Sequence, residues 1–169
     1  YDTAGNVTQS QDPLGRITRF EYDAMNRLLK VTDPDLKVTR YTYDASGNLT
    51  QVTDAKGSVT RFEYDSLNLL TKTTDPLTKV TRFFYDEKGN LARTVDRKGE
   101  EIHFSYDSLD RLIQKTTPQG STTFSYDPVG NLKTARAPDS LLEFRYDPLS
   151  RMIQGKTGAP QHPSLLQPG

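Results

Sequence analysis

Aromatic and charged residues alternate along the chain in short runs that recur at regular intervals. In the run VTRFEY at 59–64, Phe62 lies between Arg61 and Glu63. A period of two residues is that of a β-strand with one apolar and one polar face. The preceding run, LTQVT at 49–53, is rich in Thr and Val, which favour strands. No stretch shows the 3.6-residue period of an amphipathic helix, so the pattern predicts an all-β fold.

A Tyr-Asp pair recurs through the sequence at nearly constant spacing. The first five steps between pairs are 21 residues, and the last two are 20 residues. The Tyr of these pairs are Tyr1, Tyr22, Tyr43, Tyr64, Tyr85, Tyr106, Tyr126 and Tyr146. Another aromatic residue stands two positions before each of the last seven, at Phe20, Tyr41, Phe62, Phe83, Phe104, Phe124 and Phe144. Repetition at this interval predicts an array of like units, each packed on its neighbours.

Turn-forming residues separate the runs at two places in each repeat. The sequence DPLG at 12–15 has Asp, Pro and Gly where a type I turn favours them, and the same place reads DAKG at 54–57 and TPQG at 117–120. A second turn follows each Tyr-Asp pair, as in Asp44–Asn48, where Gly or Asn can adopt a positive φ. Each repeat therefore predicts strand, turn, strand, turn. The array would form about fourteen strands, in consecutive antiparallel hairpins that make a long curved or spiralling sheet.

The turns that follow the Tyr-Asp pairs alternate between two forms. The repeats that begin at Tyr1, Tyr43, Tyr85 and Tyr126 carry Gly-Asn, and those between them carry Asn26-Arg27, Asn68-Leu69, Asp110-Arg111 and Ser150-Arg151. The true unit is therefore about 42 residues, or two hairpins. We hypothesise that one turn form lies on a different edge or curvature of the sheet from the other. Equal backbone angles at Gly47 and Asn68 would contradict this hypothesis.

Composition excludes several classes of function. The chain has 22 basic and 22 acidic residues, and the zero net charge argues against nucleic acid or an anionic membrane as partner. The absence of Cys excludes disulfides, thiolate nucleophiles and Cys-ligated metals. No apolar run approaches the ~18 residues that a membrane span requires. Only 33% of the residues are hydrophobic, which is low for a compact domain, but the strict spacing of aromatic residues argues against disorder.

The repeats define the domain organisation. They occupy residues 1–154, and residues 155–169 form a Pro-rich tail that we expect to be poorly ordered. The chain begins inside a repeat, and no Met precedes Tyr1. We therefore expect it to be a segment of a longer polypeptide.

At this level of detail the chain resembles the YD-repeat, or Rhs-repeat, proteins. The matching motifs are Tyr-Asp-x-x-Gly-Asn-Leu at 43–49 and 85–91, Asp-Pro-x-Gly at 12–15 and Val-Thr-Arg-Phe-x-Tyr-Asp at 59–65. The resemblance implies hairpins that spiral into a hollow shell. In bacterial toxin-complex and Rhs members such a shell encloses a toxic C-terminal domain of the same polypeptide, and animal teneurins are similar.

The resemblance implies that the chain is a wall segment of such a shell. Its partners would be the rest of a larger YD-repeat polypeptide and the enclosed cargo, and its location would be secreted or cell-surface, in a bacterium. The autoproteolytic aspartate site and the toxin domain of shell-closing members have no counterpart here, so neither activity is carried over. The alternative is an extracellular adhesin-like repeat that binds glycans through its Arg or aromatic face, or that assembles edge to edge.

The candidate site residues fall into two groups. The structural repeat positions are Tyr22, Asp23, Tyr43, Asp44, Tyr64, Asp65, Tyr85, Asp86, Tyr106, Asp107, Phe20, Phe62, Phe83 and Phe104. The ligand-binding candidates are Arg19, Arg40, Arg61 and Arg82, for which the alternative is a solvated face of alternating Arg and Glu. We expect the Asp side chains to accept turn amide hydrogens rather than to bind metal or act as acid–base groups. His103 and His162 lack a third ligand, and no catalytic motif is present, so the sequence predicts no cofactor, no metal and no enzyme activity.

Overall fold

A computed structural model describes residues 1–158, and these residues form β-strands and turns without a helix. Its fifteen strands are β1 (Gln9–Gln11), β2 (Ile17–Tyr22), β3 (Leu28–Thr32), β4 (Val38–Tyr43), β5 (Leu49–Thr53), β6 (Val59–Tyr64), β7 (Leu70–Thr74), β8 (Val80–Tyr85), β9 (Leu91–Val95), β10 (Glu101–Tyr106), β11 (Leu112–Thr117), β12 (Gly120–Tyr126), β13 (Leu132–Ala137), β14 (Ser140–Tyr146) and β15 (Met152–Gly158).

The strands pair in chain order, and every described pair is antiparallel. The chain divides into two units, residues 1–83 and 84–169, with the boundary inside β8. In the first unit β1 to β8 pair in succession, and in the second β9 to β15 do the same. The predicted all-β architecture of consecutive antiparallel hairpins is confirmed.

Each strand that ends in Tyr has two unlike faces. In β6, Phe62 and Tyr64 are half-buried, whereas Arg61 and Glu63 are exposed. Strands β2, β4, β8 and β10 repeat this order. We call the side that carries Phe62 and Tyr64 the aromatic face and the opposite side the polar face. No residue of the described chain is fully buried, so the sheet is a single layer with a half-covered aromatic face, and this construction explains the low hydrophobic content.

A β-bulge lies beside the Tyr-Asp end of the hairpins. Tyr64 pairs with Leu70 and Glu63 pairs with Lys72, so Thr71 is the extra residue. The same shift recurs beside the Tyr at the ends of β2, β4, β10, β12 and β14. The bulge places Leu70 opposite Tyr64 on the aromatic face while Lys72 stays opposite Glu63 on the polar face.

The turns at the other end of the hairpins explain the change in repeat length. In the 21-residue repeats the turn is a three-residue loop: the Gly57 N–H donates to the Asp54 carbonyl at 3.0 Å, and Gly57 has a φ of 83°. In the last two hairpins Thr117 pairs with Gly120, and Ala137 pairs with Ser140, which leaves two-residue loops. The expectation that TPQG at 117–120 forms the same turn as DAKG is therefore wrong, because one residue fewer leaves a two-residue loop in which Gly120, with a φ of 144°, already pairs with Thr117.

The two forms of Tyr-Asp turn share one pattern of backbone hydrogen bonds. The Gly47 N–H donates to Asp44 O at 3.2 Å, and the Asn68 N–H donates to Asp65 O at 3.1 Å. The φ angles are 92° at Gly47 and 61° at Asn68, so both residues are left-handed. The two angles are not equal, although both lie in the left-handed region that Gly adopts freely and Asn tolerates. The hypothesis of a different edge or curvature stays a prediction.

The last strand continues beyond the predicted end of the array at residue 154. Strand β15 ends at Gly158 and pairs with β14 from Met152 to Gly158, so the first four residues of the predicted tail, 155–158, are strand. The remainder of that tail, residues 159–169, lies outside the described residues.

Two loops hold a bulky residue where their counterparts hold Gly. Thr78 has a φ of 62° at the position that Gly57 fills in the preceding repeat. A left-handed conformation costs an L-residue roughly 1–2 kcal/mol, and it is least suited to a β-branched side chain. We therefore expect Thr78→Gly to raise the free energy of unfolding by about 0.5–1 kcal/mol in urea denaturation. Gly57→Thr is the matched reverse change and should lower it, and a destabilised Thr78→Gly would contradict this account.

Candidate functional site

The Asp of each Tyr-Asp pair holds the turn that follows it. In the turn Asp65–Leu69, Oδ1 of Asp65 accepts the backbone N–H groups of Leu67 and Leu69, both at 2.9 Å. The same two bonds form at Asp2, Asp23, Asp86, Asp107, Asp127 and Asp147, and also at Asp12, Asp33, Asp54, Asp75 and Asp96 in the opposite turns. These carboxylates are thus engaged with turn amides.

The second carboxylate oxygen binds the side chain four residues later. Oδ2 of Asp44 accepts the Asn48 amide at 3.0 Å, and Oδ2 of Asp107 accepts Nε of Arg111 at 2.8 Å. The hydrogen bond from the Asn48 side chain lowers the pKa of Asp44, and that from Arg111 lowers the pKa of Asp107. Both carboxylates therefore stay ionised at neutral pH and are poorly suited to act as proton donors.

The Tyr hydroxyl groups join each repeat to the one before it. Tyr64 donates its O–H to the main-chain carbonyl of Leu49 at 3.0 Å. The same bond runs from Tyr22 to Val7, Tyr43 to Leu28, Tyr106 to Leu91 and Tyr126 to Leu112, at 2.8–3.1 Å. Burial raises the pKa of Tyr64, which keeps its hydroxyl protonated as a donor. We call this series of bonds the Tyr ladder.

Removing one bond of the Tyr ladder should weaken the array measurably. We expect Tyr64→Phe to lower the free energy of unfolding by about 0.5–1.5 kcal/mol, because Leu49 O loses its donor while the ring is kept. Urea denaturation measures this difference. Tyr1→Phe is the control, since the Tyr1 side chain is 88% exposed, and it should change the stability by less than about 0.5 kcal/mol. Equal effects of the two substitutions would show that the hydroxyl bonds of the Tyr ladder do not stabilise the array.

Contacts between neighbouring turns reproduce the 42-residue unit. Nδ2 of Asn48 donates to Oδ1 of Asn68 at 2.7 Å, and equivalent bonds join Asn6 to Asn26, Asn90 to Asp110 and Asn131 to Ser150. The turn that contains Arg27 is joined to the following Tyr-Asp turn by an Arg side chain instead of an Asn. Nη1 of Arg27 donates to Asp44 O at 3.1 Å, and the Arg27 guanidinium lies 4.8 Å from the Tyr43 ring centroid. The two turn forms therefore differ in their side-chain links as well as in the φ angle of their left-handed residue.

The Arg residues predicted to bind a ligand lie on the polar face, opposite the aromatic residues of the repeat pattern, although the exposed Phe84 follows Arg82 on the same face of β8. Arg19, Arg40, Arg61 and Arg82 are all exposed. The Glu residues beside them pair with Lys instead: Glu21 with Lys30 and Glu63 with Lys72, both at 2.7 Å. We call these four residues the Arg column. The rings on the aromatic face of the first unit and the Arg column cannot contact one small ligand together, because the sheet separates them.

Across residues 1–158, no group of three His, Cys, Asp or Glu side chains is placed to hold a metal ion. A cavity of about 470 Å³ in the second unit is lined by turn residues such as Asp127 and Asp147 and by Phe144 and Ile153. Oδ1 and Oδ2 of Asp127 and Asp147 are already bound within their own turns. No helix long and apolar enough for a membrane span occurs in the described part of the chain.

The comparison with protein families agrees with this repeated construction. The model of the teneurin YD-shell family matches residues 1–159. The chain belongs to this family. As a YD-shell member it is a structural repeat module, and the resemblance drawn from its Tyr-Asp motifs is confirmed. No curated protein sequence matches the chain significantly.

Several solved structures share the YD-shell fold. The crystal structure of TcdB2-TccC3 without its hypervariable C-terminal region has a TM-score of 0.69 at 22% identity, over 82% of this chain and 9% of that chain. The Tc holotoxin pore of Photorhabdus luminescens with a TccC3 mutation has a TM-score of 0.67 at 22% identity, over 82% and 9%. TcdB2-TccC3-TEV has a TM-score of 0.61 at 18% identity, over 95% and 11%. The chain thus spans about a tenth of the length of these structures.

The structural repeat positions occupy equivalent places in every YD repeat. Tyr22, Tyr43, Tyr64, Tyr85 and Tyr106 end β2, β4, β6, β8 and β10, with Phe20, Phe62, Phe83 and Phe104 half-buried two positions earlier. Asp23, Asp44, Asp65, Asp86 and Asp107 each open the turn that follows. Sequence reasoning missed the carbonyl acceptors of the Tyr ladder and the links between turns. The alternation of Gly-Asn with Asn-Arg was the signal for those links.

Proposed function

We propose that the chain is a wall segment of a closed β-shell that encloses a toxin or other cargo domain of a larger polypeptide. The observation that carries the proposal is the Tyr ladder, because each repeat completes the hydrogen bonding of the one before it. Tyr43 bonds to Leu28 O and Tyr64 bonds to Leu49 O in the same way. A contact that propagates from repeat to repeat builds an extended surface, whereas a catalytic site is assembled once.

Containment is the mechanism that this geometry supports. Paired strands lie about 4.8 Å apart, which leaves no opening for a polypeptide between them. The Asp-capped turns and the Tyr ladder fix both the hairpins and their stacking. Such a wall would separate an enclosed domain from the surroundings without any chemistry of its own.

The comparisons support the larger assembly. The similar solved structures are Tc toxin components, and the chain covers 9–11% of their length. By the same reasoning we propose a bacterial polypeptide that is secreted or displayed at the cell surface, and no enzymatic role for this segment. The glycan-binding alternative is less favoured, because the aromatic residues and the Arg column of the first unit lie on opposite faces.

The complete reading frame tests this proposal. We expect it to encode many further Tyr-Asp repeats and an unlike C-terminal domain. Limited proteolysis of the expressed polypeptide should leave that domain intact until the shell is unfolded. A frame without further repeats, or a terminal domain that is cleaved as fast as an isolated copy, would contradict enclosure.

The isolated segment should also self-associate through its strand edges. Strand β15 pairs with β14 alone among the described strands, and Met152 and Ile153 on it are 62% and 66% exposed. An unpaired edge with apolar side chains favours pairing with another chain. Light scattering should show oligomers that dissociate on dilution, and Ile153→Lys should shift the equilibrium toward monomer. A clean monomer over a wide concentration range would contradict this expectation.

A further inference from the structure

Charge is strongly segregated in the first unit, although the whole chain is neutral. The polar face of β2 to β8 carries six basic residues, Arg19, Lys30, Arg40, Arg61, Lys72 and Arg82, against two acidic residues, Glu21 and Glu63. The remaining acidic residues of this unit are Asp residues in the turns. A neutral composition therefore conceals a cationic face.

The Arg column keeps its charge unpaired. Glu21 and Glu63 are taken by Lys30 and Lys72. Within residues 1–158 no member of the Arg column makes an ion pair. Four exposed guanidinium groups are thus free to meet an anionic partner.

Two like-charged pairs lie on this face, and Glu21 and Glu63 neutralise only their Lys members. Lys30 lies directly opposite Arg40, and Lys72 lies directly opposite Arg82. Like charges at directly opposed positions of neighbouring strands destabilise a sheet. The corresponding partner of Arg61 is the neutral Gln51, so the pairing is not required by the fold. A local conflict that occurs twice in equivalent places is typical of a functional surface.

Spacing and composition define the partner. Members of the Arg column lie on every second strand, which separates them by roughly 9.6 Å. A polyproline II chain advances about 9.3 Å in each three-residue turn, so acidic residues at every third position would match the column. The polar face of β2, β4 and β6 carries no aromatic side chain, and the exposed Phe84 on β8 is already covered by the Arg93 guanidinium at 4.0 Å. Nucleobases and sugars bind largely by stacking on such rings.

We propose that the polar face of the first unit binds an acidic polypeptide segment in a polyproline II conformation, through the Arg column. Arg40 and Arg82 contribute most, because bound carboxylates also relieve their repulsion with Lys30 and Lys72. The inference does not depend on the shell function: it requires only the face that residues 1–83 present.

Fluorescence anisotropy with two labelled peptides tests the proposal on the full chain. One peptide is Glu-Pro-Pro repeated four times, and the other has four consecutive Glu followed by eight Pro. We expect tighter binding of the first peptide, weakening as salt is added. Arg40→Gln with Arg82→Gln should raise its Kd about five- to tenfold. This variant removes two like-charged pairs, so circular dichroism should show a fold at least as stable as the parent.

The matched control is Lys37→Gln with Lys79→Gln, which removes the same charge from exposed turn positions that are also 42 residues apart. Its Kd should stay within about twofold of the parent value. Equal weakening by both variants, or equal binding of both peptides, would overturn the assignment to the Arg column. Binding of heparin or of single-stranded DNA without binding of the Glu-Pro-Pro peptide would overturn the assignment to a polypeptide, as would no binding at all.

Discussion

Lowering the pH from 6 to 2 is expected to reduce the thermal unfolding midpoint steeply, with most of the loss below about pH 4. The backbone N–H of Ser58 lowers the pKa of Asp54, and that of Glu100 lowers the pKa of Asp96. A carboxylate whose folded-state pKa is depressed stabilises the fold above its unfolded pKa. That contribution disappears as the pH falls through the folded-state pKa. Because an Asp recurs at nearly every turn, many small losses add up.

Circular dichroism melts at closely spaced pH values measure this loss. The matched variant is Asp54→Asn with Asp96→Asn, since Asn keeps an acceptor for the turn amides but does not titrate in this range. Its midpoint should fall less between pH 6 and 2 than that of the parent. An identical fall in both proteins would assign the acid sensitivity to general repulsion among the basic residues and not to the turns.

Phe62→Ala should lower the free energy of unfolding by about 1–2 kcal/mol. Phe62 is half-buried on the aromatic face and lies opposite Thr73. A fully buried aromatic residue would cost about 3–5 kcal/mol on the same substitution, but no described side chain of this single-layer sheet is fully buried. The loss here lacks a cavity contribution, because solvent can reach the vacated space.

The neighbouring residue provides the comparison for Phe62→Ala. Arg61 is exposed on the polar face, and Arg61→Ala should cost less than about 0.5 kcal/mol in the same urea titration. A cost at Arg61 that equals the cost at Phe62 would show that the two faces have been assigned wrongly. If Phe62→Ala instead reached the full cost of a core substitution, another layer must cover the aromatic face in solution.

The spacing of a few residue types was sufficient to predict the strands and their faces. Phe62 and Tyr64 alternate with charged residues, and among regular structures a period of two residues fits only a β-strand. The Asp residues at the start of each turn were also predictable, because a short carboxylate accepts nearby amide hydrogens in most tight turns. The fold class could be predicted because the same strand and turn signals recur in every repeat of the sequence.

The contacts between repeats could not be predicted in the same way. Asn48 meets Asn68 only because the sheet stacks their turns, and that distance depends on strand register and twist. Sequence preference also assigned left-handed turn positions to Gly or Asn, whereas tertiary pairing places Leu36 and Thr78 there. The net charge of the chain did not reveal the cationic face, because a sum over all residues does not distinguish acidic turn residues from basic strand residues.

Electron cryomicroscopy of the polypeptide encoded by the complete reading frame would show whether the chain forms part of a shell wall. We expect residues 1–158 to form consecutive hairpins in the wall of a hollow β-shell, with the Tyr ladder continuing into the repeats on either side. We also expect density for a separate domain inside that wall. An open array with solvent on both faces, and no enclosed domain, would contradict the proposal that this chain is part of a wall around a cargo domain.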